Sequence, residues 1–309
     1  MKNFLFLYYL IFAMAGLLYY KEIMHYVIPR SHDHSKASEQ YSQQLESIYS
    51  EWKKCILQNI EPFKDNYTAL WSREMPHTVE KCWPIWSDSK IFDFRYFTNH
   101  GGETKCHILP VNNEKSVILS FGIGNDTDSE LQLRNASKSP VEFYGADPIH
   151  YPNADLFRQI GTFFNFALSG EAGILDAHVL VNGSYVHKDV PVLSLKYFLV
   201  EILKIKFFDD IWIDAEGGEF GFLNYFSYGG VLDENDITVC QINFEIHCRN
   251  ETHYKMTRDF FFQLLEDGRY AAIRGSRPGW MRLYFVNIRN QRCLDKYANA
   301  EVVKKLNRI

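Results

Sequence analysis

The spacing of hydrophobic and polar positions changes several times along this chain, and each change marks an element. Between residues 39 and 60, Leu45, Ile48, Trp52, Cys55 and Ile56 recur at three- and four-residue steps, which predicts an amphipathic helix. Pro62 stops it, because proline lacks the amide that would continue the ladder. The aromatic-rich stretch 67–86 is interrupted by Pro76 and Pro84 and reads as short helices and loops, with its tryptophans used for packing.

Beyond Lys90, short apolar runs alternate with helical segments, the pattern of an α/β domain. Residues 117–121, 141–146, 162–168, 210–213 and 237–246 are the expected buried strands. A strand-rich insertion around residues 179–181, turning at Asn182-Gly183, separates the third from a helical segment at 193–203. A helix over 256–265 leads to two last strands, 270–273 and 281–286. The connection through Gly275, Pro278 and Gly279 is short enough to make that last pair antiparallel. The expected architecture is a Rossmann-like, mostly parallel sheet with one antiparallel strand near its end.

Ligands of open α/β sheets bind beyond the carboxyl ends of the strands, and here those ends are polar. The first strand delivers Ser120 and the Gly122/Gly124 loop, the second Asp147, the fourth Asp214 and Glu216, the fifth Glu245 and His247. A glycine pair after a strand also describes an ordinary tight turn, so the loop gains meaning only from the residues downstream of it. Asp147 ends the next strand, where a carboxylate can accept hydrogen bonds from both ribose hydroxyls of a nucleoside. At an exposed strand end it is expected to contribute little to stability. Thr127 occupies the position of the third glycine of a dinucleotide fingerprint, which argues for a cofactor without a pyrophosphate. Asp214 and Glu216 alternate with Ala215, a pair suited to contacting a cofactor, binding a cation or orienting a hydroxyl. Glu219 is accounted for by a helix first turn, where the dipole favours negative charge.

Composition alters the picture in one direction. A net charge of −5 on 309 residues offers no electrostatic reason to expect a nucleic-acid partner. Residues 4–20 form an uncharged apolar run between Lys2 and Lys21, near the length that spans a bilayer. It is read as a signal anchor, with a cleaved signal peptide as the alternative because Ala13-Met14-Ala15 resembles a cleavage site. Either way the remainder is expected in the secretory pathway, in the first case as a single-pass type II protein that contacts the membrane through this helix. Six cysteines and sequons at Asn66, Asn125, Asn135, Asn182 and Asn250 agree with an oxidising lumen. None of the cysteines forms a C-x-x-C pair, which makes a zinc site of that kind unexpected, and no metal is assigned.

Taken together the motifs resemble the FkbM-type family of S-adenosylmethionine-dependent methyltransferases. The most specific part is the strand running into Asp214-Ala215-Glu216-Gly217-Gly218-Glu219, similar to the family's D-x-E-G-x-E block. Phe244-Glu245-Ile246-His247 resembles its E-I-H strand end, Ala167-Leu168-Ser169-Gly170 its alanine-leucine-small stretch, and Val192-Leu193-Ser194-Leu195 an altered helix start. The resemblance covers residues 115–287 and implies S-adenosylmethionine as cofactor, bound by Ser120, Gly122, Gly124, Asp147, Asp214 and Glu216. It implies transfer of a methyl group to a hydroxyl of a small-molecule, glycan or lipid acceptor, with His247 as base and Glu245 orienting it. Ser120 stands where many members carry an acidic residue, which weakens the first motif. The implied organisation is an anchor over 1–30, a helical stem over 31–90 and the methyltransferase-like domain over 91–309. Two rivals are a lumenal protein that keeps the fold without catalysis and a type II glycosyltransferase using the D-x-D triplet Asp126-Thr127-Asp128.

Overall fold

The computed structural model describes residues 32–299, apart from Asn182 and Pro278. It opens with α1 (His32–Ile60), which buries Leu45, Tyr49, Trp52, Ile56 and Ile60 along one stripe. Helical turns over Glu61–Phe63 and Tyr67–Glu74 lead into α2 (Met75–Ser89). The prolines of this stretch do not fragment α2. Pro76 lies in its first turn, where no amide is needed, and Pro84 is accommodated inside it. The Cys55–Cys82 disulfide joins α1 to α2. The α2 helix lies close against the strand carrying Gly275, where a Cβ would meet the Pro76 carbonyl oxygen at 2.9 Å.

A hairpin, β1 (Phe94–Thr98) and β2 (Thr104–Ile108), precedes the main sheet and left no clear mark in the sequence pattern. There follow β3 (Ser116–Phe121), α3 (Asp128–Ala136), β4 (Val141–Ala146), α4 (Asn153–Phe157) and β5 (Gly161–Phe164). Next come β6 (Ala167–Ser169), β7 (Gly173–Val181) and β8 (Ser184–Ser194), which form a small separate sheet in the order β6-β8-β7. The run expected as one strand over 162–168 is thus divided between two sheets, and β8 is followed by a helical turn over Leu195–Tyr197 that widens into a π-helix over Phe198–Leu203. The chain continues through β9 (Phe207–Ile213), β10 (Thr238–Ile246), α5 (Glu251–Asp267), β11 (Tyr270–Ser276), β12 (Met281–Asn287) and α6 (Gln291–Tyr297).

Seven strands form the main sheet in the order β11-β12-β10-β9-β3-β4-β5. Pairing is parallel from β10 through β5, while β12 runs antiparallel to both β10 and β11. The strand order reverses between β3 and β9, so the switch point where α/β sheets bind ligands lies between the ends of those two strands. Their buried faces are packed by α1, α2 and α5 into one core that includes Trp52, Trp86, Phe208, Phe244 and Phe260. Burial of such side chains, each worth about 1.5–3 kcal/mol, is the main stabilising term.

The membrane-spanning expectation requires correction. Among the described residues no helix is long and apolar enough to cross a membrane. The longest of them, α1, has a single buried stripe and an exposed charged face, so it packs against protein. The anchor, the membrane contact and the single-pass type II topology therefore have no described element behind them, and residues 4–20 lie outside the described residues. Two sequon asparagines, Asn66 and Asn250, serve as helix N-caps, accepting from the amides of Ala69 and His253, a local reason for asparagine at these positions.

A second disulfide, Cys240–Cys293, ties central β10 to α6 across 53 residues, while Cys106 and Cys248 are buried thiols. Closing loops of this length restricts the unfolded chain. Replacing Cys240 and Cys293 together by alanine is expected to lower the unfolding free energy by about 2–4 kcal/mol, measured by guanidinium denaturation without reductant. An unchanged midpoint would show that the cross-link contributes nothing.

Candidate functional site

At the end of β3 the chain turns sharply through left-handed backbone at Gly122 (φ +79°), Gly124 (φ +61°) and Asn125 (φ +64°). Gly122 is required by proximity as well as by φ, since a Cβ there would lie 2.3 Å from the Asp214 carbonyl oxygen. Around Gly124 nothing stands within 4 Å of that position, so its backbone faces open space. This loop is held from β4. Asp147 Oδ2 accepts from the Ile123 amide at 2.8 Å and from Gly124 at 3.4 Å, and Oδ1 accepts from Ile149 at 2.7 Å. Asp147 is 5% exposed, which corrects its expected position at an open strand end. Burial raises its carboxyl above the ordinary value, against the backbone amides that favour the charged form.

Ser120 is placed differently from the rest of the first motif. It is buried, its hydroxyl donates to Glu130 Oε1 of α3 at 3.0 Å, and it does not line the pocket that the glycines and Asp147 border. A carboxylate thus does stand beside this position, contributed by the following helix. Burial pushes the Glu130 carboxyl up to about 7.

Beyond β9, the chain passes through Asp214 and Ala215 into a turn with Glu216 (φ +49°) and Gly217 (φ +105°) left-handed. Gly218 packs so closely on β6 that a Cβ would meet the Leu168 carbonyl oxygen at 2.4 Å. Glu219 is fully buried and closes the turn: Oε2 accepts from the Gly217 amide at 2.8 Å, and Oε1 from the His247 amide at 2.7 Å. The same Oε1 lies 3.1 Å from His247 Nδ1. The dipole account of Glu219 therefore understates it, because this carboxylate joins the ends of β9 and β10.

His247 Nε2 faces Asp214 Oδ1 at 3.3 Å, Glu245 Oε1 at 3.7 Å and Glu216 Oε2 at 3.9 Å. Burial alone would lower its ring, but the Asp214 and Glu219 carboxylates outweigh it and hold the ring up to about 11. An imidazole with no exposed surface, set between carboxylates on both sides, is a poor general base, and this is the geometric obstacle to the role expected for it. Glu216, pushed up to about 7 by burial, pairs with Arg249 at 3.0 Å. Glu245, raised by burial and by Asp214, accepts from Arg282, its cross-strand neighbour on β12, at 2.8 Å. The ring of Trp280 covers His247 at 5.2 Å.

One pocket brings together Gly122, Gly124, Asp147, Asp214 and Glu216. The β7–β8 hairpin forms its other wall through Leu175, Val179 and Tyr185. Glu245 belongs to a second cavity with Arg282, Lys105, Tyr96 and Arg274. The hairpin wall, Arg282, Arg249 and Trp280 were not singled out from sequence. Arg282 interrupts the apolar face of a terminal strand and so left a signal, whereas the hairpin's place over the pocket left none. The D-x-D triplet is engaged locally: Asp126 accepts from the amides of His100 and Asp128 at 2.7 and 2.9 Å.

Glu130 provides a test of the burial argument. Its carboxyl is raised from 4.5 to about 7 in the folded protein, so between those values the native state binds more protons than the unfolded one. Stability from this group is full below pH 4.5 and declines as pH rises toward 7. Glu130→Gln keeps the acceptor for Ser120 without the charge. It is expected to match wild type near pH 4 and exceed it at pH 8 by on the order of 1–3 kcal/mol, read by denaturation at both values. An advantage equal at both pH values would disprove the raised carboxyl.

The comparisons with known proteins bear on this arrangement. The family described as Methyltransferase FkbM domain matches residues 48–271, which include the glycine loop, Asp147, the Asp214–Glu219 turn and the Glu245–His247 strand end. A Caenorhabditis elegans protein, "Uncharacterized protein C28H8.7", is 21% identical over 270 residues, covering 86% of this chain and 85% of its own. The family match takes in well over half of the sequence, so the chain belongs to the FkbM methyltransferase family.

Proposed function

We propose that this methyltransferase seats S-adenosylmethionine in the pocket beneath the β7–β8 hairpin and methylates a hydroxyl of a small-molecule, glycan or lipid acceptor. The observation that carries the reading is the convergence of the glycine loop, Asp147 and the Asp214–Glu216 turn on one pocket at the switch point of the sheet. The residues suit the cofactor. Its sulfonium and ammonium groups are cationic, and the pocket offers the carboxylates of Asp147, Asp214 and Glu216 among apolar walls from Ile149, Leu168 and Val179. When bound, S-adenosylmethionine supplies an electrophilic methyl group.

Bare backbone at Gly124 allows close approach of a ligand chain. Asp147 holds the loop in shape with its acceptor sites taken by the Ile123, Gly124 and Ile149 amides and the Asn153 side chain, and a ribose hydroxyl takes the place of the longest of these, the 3.4 Å bond from Gly124. Leu175 and Val179 on the hairpin cover the pocket and exclude water. The acceptor enters from the second cavity, because Asp214 lines the first, Glu245 lines the second, and their ligand atoms lie within 4.8 Å of one another. His247 serves as a positioning residue, keeping the strand ends together while the carboxylates around it orient the incoming hydroxyl.

Titration calorimetry with S-adenosylmethionine tests the reading. Wild type is expected to bind, and Asp147→Ala to bind at least about tenfold more weakly, the loss of one hydrogen bond to a charged group. Because Asp147 also holds three backbone amides, the same change is expected to lower the thermal midpoint. Folded wild type that takes up no S-adenosylmethionine would reject the function, and folded Asp147→Ala with unchanged affinity would reject the ribose contact.

A further inference from the structure

We infer that Asp214, Glu245 and His247 form a site for one divalent metal ion at the junction of the two cavities. One ligand atom from each lies within 4.8 Å of the others. His247 is fully buried and Glu245 is 4% exposed. Although Asp214 Oδ1 and His247 Nε2 are 3.3 Å apart, neither has an aligned hydrogen-bond partner among the described residues. Buried polar atoms without partners are costly, so atoms that converge in this way call for an occupant.

The other side of the imidazole determines what that occupant is. Glu219 can only accept, and its Oε1 already takes the His247 amide, so it places a hydrogen on Nδ1. Carboxylate-bonded Nδ1–H is the usual companion of a metal on Nε2. Nε2 is then the ring atom aimed at the Asp214 and Glu245 carboxylates, and the place between them holds either the second ring proton or a metal ion that displaces it. Four carboxylates, from Asp214, Glu216, Glu219 and Glu245, surround this ring, while Arg249 and Arg282 supply the guanidinium groups paired with them. Lys105 is a further cation that favours the charged form of Asp214. A divalent cation that displaces the Nε2 proton puts two positive charges among these carboxylates in place of one.

The two separations made by the histidine also fit. Donors about 2.1 Å from a common ion and 3.3 or 3.7 Å apart subtend about 100° and 120° at it, within the range of metal coordination. One imidazole nitrogen and two carboxylate oxygens suit ions between hard and borderline, such as Mn²⁺ or Zn²⁺. Three protein ligands leave positions open toward the cavities, where an acceptor hydroxyl can reach the ion. The second acidic cluster, His100 with Asp126 and Asp128, lacks these features. Its histidine is 81% exposed and both Asp126 oxygens accept backbone amides.

The probe is Mn²⁺ alone, added to chelator-treated full-length protein and followed by the paramagnetic resonance signal of the free ion. One ion per chain is expected, displaced by Zn²⁺. Asp214→Asn, checked for folding by circular dichroism, is expected to weaken uptake at least tenfold, and Asp126→Asn to leave it unchanged. If Asp214→Asn does not fold, Glu245→Gln takes its place with the same expectation. Folded wild type that takes up no Mn²⁺ overturns the site and assigns the space at Nε2 to a proton. Folded Asp214→Asn that binds as wild type does, or uptake lost only in Asp126→Asn, overturns it as well. With no S-adenosylmethionine in the sample, failure here leaves the cofactor reading to its own titration.

Discussion

The carboxylate of Glu219 is the contact on which the site depends. It accepts the His247 amide, faces the His247 ring and closes its own turn at Gly217. Two neighbouring parallel strands, β9 and β10, are thereby locked together at their carboxyl ends, where parallel sheets otherwise splay into loops. A fully buried carboxylate is tolerated only because donors satisfy it, and buried charges without such partners are expensive. The turn that satisfies Glu219 also forces Glu216 into left-handed backbone and brings Gly218 onto β6. The position of the small sheet over the pocket follows from that contact.

A second constraint acts at the switch point itself. Gly122 is pressed against the Asp214 backbone, so the glycine loop and the acidic turn are shaped by each other. Asp147 holds the loop from the opposite side through three amides. The pocket is therefore preformed by backbone contacts and does not rely on flexible side chains, the kind of rigidity that positions a reacting group.

The opposite end of the sheet carries its own buried polar network. Asp209 accepts from the Val117 amide and pairs with Lys296 and Tyr297, while Asp210 bonds His107 and Asn243. These bonds attach α6 and the β1–β2 hairpin to the central strands. In the sequence this region reads only as an apolar strand beginning with two aspartates, because their partners lie far along the chain.

Local pattern and long-range pairing divide the account of this protein. Periodicity was sufficient for α1, α5 and the central strands, because burial of one face repeats every two or three to four residues wherever the chain packs. Motif spacing was sufficient to collect Gly122, Gly124, Asp147, Asp214, Glu216, Glu245 and His247 at one edge, since each lies at or just beyond the carboxyl end of a strand of the same direction. Periodicity did not reveal where a strand leaves its sheet. The run over 162–168 breaks at Asn165, whose side chain bonds the carbonyls of Asp147 and Pro148. Nor could it orient side chains: Ser120 turns to Glu130, Asp147 is buried under amides, and His247 lies sealed between carboxylates. The sequence by itself determined the element types, the family motifs and the set of residues at the strand ends. Only the tertiary structure decided which of them face a pocket and which face each other, because that depends on contacts between segments that no local spacing encodes.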